Sequence, residues 1–185
     1  MHSAMAVRRS PRLPSFDYST PGGYFVTAVT HKRACVFGEL SETDGAVHLN
    51  NTGAMVRRWW NLIPQKFSSV TLDAAVVMPD HFHAIVLLNC LADPTHGSIS
   101  LPRVMHWFKT MTTAEYFRRV PSDGWPRLQH RLWQRSYYDH IIRNESDLID
   151  IRAYIESNPG ALLERRLGAS VRLSADTDVN IRLIE

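Results

Sequence analysis

The chain has 185 residues, 44% of them hydrophobic and 21% charged, a balance that suits one globular domain with its own core and excludes a disordered chain. No apolar run reaches membrane-spanning length, and the two cysteines, Cys35 and Cys90, provide neither a disulfide framework nor a thiolate zinc site. A net charge of +3 and a pI of about 9.1 come with 18 arginines among 21 basic residues; their planar forks match phosphate and admit a nucleic-acid partner, while a genome rich in G and C explains the same bias equally well.

Residues 1–19 place Arg8, Arg9 and Arg12 among prolines and serines and read as a basic surface arm. The opening residues hold no apolar signal core, so a cytoplasmic protein is expected. Residues 24–30, rich in β-branched and aromatic side chains behind Pro21-Gly22-Gly23, predict a strand. Asp44-Gly45, between short apolar segments around Leu40 and at 47–49, predicts a small hairpin. A helix over 52–63 follows, with Thr52 as its cap, Met55, Val56, Trp59, Trp60 and Ile63 at helical spacing, and Pro64 as its stop. Residues 70–78 and 82–88 predict two strands joined by a turn at Pro79-Asp80.

After a loop, the spacing predicts a helix over 101–120, capped by Ser100, with Pro102 in its first turn. Leu101, Val104, Met105, Phe108 and Met111 form its buried stripe, and Lys109 lies off it, facing solvent or a phosphate. Residues 136–142 predict a last strand with Tyr138, His140 and Ile142 on one face. Asn144-Glu145-Ser146-Asp147 opens a final helix through Leu148, Ile151 and Ile155 that stops at Asn158-Pro159-Gly160. The domain therefore spans 20–160 and residues 161–185 are a tail. The order β-α-β-β-α-β with one further helix predicts an α+β, ferredoxin-like split βαβ sandwich: an antiparallel sheet with helices on one face, plus a C-terminal helix. Many functions use that fold, so function must come from the site.

The candidate site begins at His81-Phe82-His83. On a strand, residues two apart share a face, so the two imidazoles stand side by side as half of a metal site. Tyr154 and Asn158, four apart on the last helix, also share a face. The Asn158 carbonyl oxygen would complete a two-nitrogen, one-oxygen set with open positions for phosphate oxygens. Tyr154, one turn earlier, would stand within reach of a bound phosphorus.

At this point the residues resemble a known family, the REP-associated tyrosine transposases, within the single-tyrosine HUH transposases. The matching pieces are Asp17-Tyr18, Gly23-Tyr24-Phe25-Val26-Thr27, Val36-Phe37-Gly38-Glu39, Val77-Met78-Pro79-Asp80-His81-Phe82-His83, Phe108-Lys109, Tyr138-Asp139-His140-Ile141-Ile142-Arg143 and Tyr154-Ile155-Glu156-Ser157-Asn158-Pro159, in the family's order over residues 8–160. The resemblance implies a catalytic domain that cuts and joins single-stranded DNA beside hairpin-forming repeats. It implies Tyr154 as nucleophile and His81 and His83 as metal ligands, with Asn158 where the family carries an amide-bearing third ligand. Mixed nitrogen and oxygen donors point to Mg²⁺ or Mn²⁺, and a monomer or homodimer is expected. Arg8, Arg9, Arg12 and Lys109 are expected to contact hairpin phosphates. Two departures are visible: Asp80 stands where the family carries asparagine, a turn position of small expected effect, and Leu162 and Leu163 follow where a tryptophan is common.

The chemistry fits these parts. A divalent ion offsets the charge that repels nucleophiles from a phosphodiester. A tyrosine phenol, which ordinarily titrates near about 10, loses its proton as it attacks. The products are a 5′-phosphotyrosine and a free 3′-hydroxyl, and the retained bond allows rejoining without ATP. Other readings stay open: a non-catalytic ferredoxin-like nucleic-acid-binding module using Tyr24 and Phe25, a metal hydrolase that adds His140 or Asp139 to the histidine pair, and Tyr137 or Tyr138 as the nucleophile.

Overall fold

A computed structural model describes residues 16–90, 99–129 and 131–181, with side chains as far as Glu164. Arg8, Arg9 and Arg12 lie outside the described residues.

Apolar alternation sets up a four-stranded sheet. Its strands are β1 (Gly22–Val29), β4 (Val70–Val77), β5 (His81–Leu88) and β6 (Tyr138–Ile142), in the order β4-β5-β1-β6 with every neighbour antiparallel. Between β1 and β4 the chain forms the predicted hairpin, β2 (Gly38–Leu40) and β3 (Val47–Leu49), then α1 (Asn51–Asn61) and α2 (Ile63–Lys66). Gly45 takes the left-handed conformation (φ +67°) that the hairpin turn requires. Between β5 and β6 runs α3 (Leu101–Asp123). Each crossover returns with one strand inserted between its ends, so the ferredoxin-like split βαβ order predicted from sequence is the one observed.

The two faces of the sheet carry different elements. Tyr24, Val26 and Ala28 of β1 and Phe82, Ala84, Val86 and Leu88 of β5 are buried on the face that α1 and α3 cover. Phe82 packs there against Trp60 of α1 and Phe108 of α3, with ring centroids 4.9 and 5.4 Å away. The opposite face, with Phe25, Thr27, His81 and His83, is crossed by α4 (Glu145–Ile181).

Three local expectations change. Asn50, not Thr52, caps α1: its extended backbone lets its side-chain oxygen accept from the amides of Thr52 and Gly53, both at 3.0 Å. The Thr52 hydroxyl is drawn instead to the Val36 carbonyl. Pro64 opens α2 at its first turn, where its missing N–H costs nothing. The last helix does not stop at Pro159 but continues to Ile181. Its continuation opens with Ala161-Leu162-Leu163-Glu164-Arg165-Arg166-Leu167, a run of strong helix formers that outweighs one lost hydrogen bond.

The buried stripe of α3 starts as predicted with Leu101, Val104, Met105 and Phe108, then passes through Thr112, Glu115 and Tyr116 in place of Met111. The polar members are satisfied across elements. Trp133 Nε1 donates to the Thr112 hydroxyl at 2.8 Å, and Glu115 accepts from Trp59 Nε1 at 2.7 Å, from Arg119 Nε at 2.9 Å and from Arg58. Burial alone would raise the Glu115 carboxyl, but these donors hold it below the ordinary carboxylate value. The stability it contributes is therefore full above about pH 4.3 and lost as pH falls through its folded value. Glu115→Ala should cost about 1–3 kcal/mol in urea unfolding at pH 7. Glu115→Gln should flatten the acid limb of stability against pH; an acid limb identical to wild type would contradict the ion-pair assignment.

Candidate active site

The histidine pair is set by a pinned turn. The Pro79 carbonyl accepts from Phe37 N at 3.1 Å, the Asp80 carbonyl accepts from both N and Oγ1 of Thr30 at 2.9 Å, and Met78 N donates to the His81 carbonyl at 2.8 Å. With β5 starting at His81, the two imidazoles emerge on the α4 face, ring centroids 4.6 Å apart and nearly perpendicular at 79°.

Each ring is oriented through Nδ1. His81 Nδ1 donates to Asp80 Oδ1 at 2.5 Å, and His83 Nδ1 lies 2.8 Å from Thr27 Oγ1, its cross-strand partner on β1. Arg33 Nη1 holds the other Asp80 oxygen at 3.1 Å. Burial would raise the Asp80 carboxyl, but His81 and Arg33 keep it below the ordinary carboxylate value. The His83 value is pushed down to about 3, first by burial and then by the charge of His81, with Asp80 opposing. His83 is thus a neutral imidazole, the form that binds metals. With Nδ1 engaged in each ring, Nε2 is the nitrogen that each imidazole can offer to a ligand.

The remaining groups come from α4. Ile155 is buried and anchors the helix on the sheet. The Arg152 fork grips Asp73, Nε to Oδ1 at 2.9 Å and Nη2 to Oδ2 at 2.6 Å. Asp73 is presented by a bulge, where the β4–β5 register slips between Leu72 and Ala75. The helix so placed brings the Tyr154 hydroxyl to 3.5 Å from His83 Nε2 and its ring edge-on to Phe25, at 6.0 Å between centroids. Tyr154 is half exposed, whereas Asn158 is 3% exposed and its Oδ1 has no hydrogen-bond partner among the described residues.

Tyr154 and Asn158 line one cavity of about 290 Å³ with His81, His83, Thr27, Asp80 and Arg33. A buried amide oxygen without a donor is costly unless something else satisfies it. With two oriented Nε2 atoms in the same cavity, the donor set fits a divalent cation. Among the described residues no group of three His, Cys, Asp or Glu side chains could hold a metal, so a three-ligand protein set here would draw its third donor from the amide.

The other sequence candidates fall elsewhere. Lys109 Nζ donates to the carbonyls of Gln134, Arg135 and Ser136 at 2.7, 3.2 and 3.1 Å, so it organises a loop. His140 is engaged by Asp147 at 2.9 Å. Tyr137 is buried, while Tyr138 is exposed on the α4 face of β6 opposite Thr27. Asp80 and Arg33 went unrecognised as part of the site. Asp80 sits directly before His81, and that adjacency was the signal. Arg33 reaches the cavity through two successive left-handed residues, Lys32 (φ 56°) and Arg33 (φ 54°), which no local pattern announces.

The family described as Transposase IS200 like matches residues 62–158, a segment that holds both histidines, Tyr154 and Asn158. An uncharacterized protein of Haemophilus influenzae is 32% identical over 163 residues, covering 82% of this chain and 88% of the relative. The fold is similar to that of a REP-associated tyrosine transposase solved bound to a REP hairpin, with a TM-score of 0.55 and 20% identity over 85% of this chain and 74% of the other.

The Asp80–His81 pair leads to a measurable expectation. Asp80→Ala removes the acceptor that orients His81 and should weaken Mn²⁺ binding by about 10–100-fold in titration calorimetry of the purified protein. Asp80→Asn keeps an acceptor oxygen and should recover most of that loss. Equal affinity in wild type and Asp80→Ala would refute the orienting role.

Proposed function

Because the chain belongs to the IS200-like transposase family, we propose that it cuts and rejoins single-stranded DNA beside hairpin-forming repeats through a 5′-phosphotyrosine on Tyr154. The observation that carries the reading is the orphaned Asn158 oxygen, sharing a cavity with two oriented imidazoles and a half-exposed tyrosine. His81 and His83 would offer Nε2 and Asn158 Oδ1 to Mg²⁺ or Mn²⁺, with open positions left for phosphate oxygens. A divalent ion so held would neutralise phosphate charge and make the phosphorus a better electrophile.

The protein's own groups supply the rest. Phe25 and His83 fix the Tyr154 ring by edge contacts, so the phenol oxygen is held near the ligand pair and need not be ordered at the moment of reaction. Attack forms the Oη–phosphorus bond and breaks the bond from phosphorus to the 3′ oxygen. The phenol gives up its proton and the departing oxygen takes one up, leaving a 3′-hydroxyl. Because one phosphoester replaces another, a 3′-hydroxyl can attack the adduct and reverse the step without ATP. Arg33, two-thirds exposed at the cavity rim and shared with Asp80, is placed to meet an entering phosphate. The hairpin substrate is supported by the REP hairpin bound in the structural relative.

Tyr154→Phe keeps the ring, its contacts and the helix and deletes the attacking oxygen. It should bind hairpin DNA normally and lose on the order of a thousandfold or more in cleavage. Wild type should form an SDS-stable adduct carrying the DNA 3′ to the cut, mapped by mass spectrometry to the peptide with Tyr154. Tyr137→Phe and Tyr138→Phe should still form it. Cleavage at wild-type rate by Tyr154→Phe, or an adduct on Tyr138, would overturn the assignment. Hairpin binding with no adduct under any metal would favour a binding module.

A further inference from the structure

A cleft of about 510 Å³ lies between α3 and the segment 131–137, separate from the candidate active site. Its walls carry His106, Lys109, Arg131 and Arg135, and no acidic side chain lines it among the described residues. Arg131 and Arg135 are exposed, and neither guanidinium has an ion pair or hydrogen bond among the described residues. Elsewhere in this structure arginines beside acids pair with them: Arg33 with Asp80, Arg58 and Arg119 with Glu115, Arg152 with Asp73. Two unpaired forks facing one cleft are an uncompensated positive charge.

The cleft is preformed and lies at the end of β1 that also borders the site. Lys109 clamps its wall through three carbonyls, which fixes the backbone that carries Arg135. The same wall extends the end of β1: His31 N donates to the Leu132 carbonyl, and Gln134 N to that of Val29, both at 2.8 Å. Val29 pairs with His81 and lines the active-site cavity. The cleft and the cavity therefore adjoin the same end of β1, the cleft on the α3 side of the sheet and the cavity on the α4 side.

We infer that this cleft holds the single-stranded DNA flank beside the hairpin, with Arg131 and Arg135 on its phosphates. The inference rests on the transposase reading above. Its occupant follows from the lining. The forks match phosphate oxygens, and the exposed ring of His106 stands on the α3 wall facing them. An unpaired base offers a flat face on which an imidazole can stack, whereas a duplex presents only its outer phosphates. Lys109 thereby shapes the cleft that the arginines line.

The test is fluorescence anisotropy on the full chain with two labelled DNAs: a hairpin with single-stranded flanks, and the same hairpin trimmed flush. The double variant Arg131→Ala/Arg135→Ala should bind the flanked hairpin about tenfold more weakly or worse near physiological salt. Its slope of log affinity against log salt should flatten by about 1.4, at about 0.7 per lost single-strand contact. Affinity for the flush hairpin and the melting temperature should stay at wild-type values. Arg131→Lys/Arg135→Lys should fall between, because the charge remains and the fork is lost. Unchanged affinity for the flanked hairpin would mean that the cleft is a solvated face. Equal loss on both DNAs would put the arginines on the duplex stem, and either result overturns the inference. A wild type that forms no adduct yet shows the flank-dependent loss would sink the proposed chemistry and leave the cleft standing.

Discussion

The period of two along β5 is the constraint from which the site follows. Phe82 is 1% exposed between Trp60 and Phe108, and removing a buried ring of this kind costs about 3–5 kcal/mol. A slip of one residue would push that ring into the polar cavity and bury both imidazoles in the core. The hydrophobic layer therefore fixes which way His81 and His83 point, before any ligand arrives. The site is prepared by packing on the far side of the sheet, and its two ring-orienting contacts, Asp80 and Thr27, refine what the core has already decided.

The position of α4 depends on a second, smaller device. The Arg152–Asp73 fork links the helix to the edge strand across a bulge, and with Arg152 43% exposed on its side chain such a pair contributes little stability, about 0–1 kcal/mol. Its value is geometric. A bidentate pair fixes rotation as well as distance, and Tyr154 lies two residues farther along the same helix. Ile155 supplies the burial, Arg152 the registration, and together they leave Tyr154 half in solvent while Asn158 turns inward. Two positions on one helical face thus have opposite exposure.

Much of this was legible in the sequence. The strands, the hairpin at Asp44-Gly45 and the α3 stripe as far as Phe108 are periodic signals, and periodicity survives without tertiary information. His-x-His and Tyr-x-x-x-Asn are spacing signals of the same kind. What escaped were contacts between positions far apart in the chain. Thr27 meets His83 only once β1 and β5 are in register, and Arg152 meets Asp73 only because β4 bulges there. Asp80 read as a turn residue because its turn role is real; its side chain performs a second task that position alone does not reveal. Glu115 broke the apolar stripe for a related reason, since a carboxylate can replace a hydrophobe where three donors from two helices converge. The run past Pro159 shows the limit of single-residue rules: one breaker did not outvote the helix formers that follow it.

The order of the site's parts along the chain has a consequence for synthesis. His83 and Tyr154 are 71 positions apart, and the tyrosine is on the last helix. At about 5–20 residues per second, roughly 4–14 s pass on the ribosome between the two. During that interval a nascent chain carries the histidines and their supporting strand but no proposed nucleophile, and β6 is made only near its end. On the proposed chemistry, a polypeptide abandoned anywhere in that stretch would lack the group that attacks DNA. The capacity to break a strand would arrive only with the helix that covers the sheet's second face, so the hazardous step would be withheld until the scaffold that controls it exists.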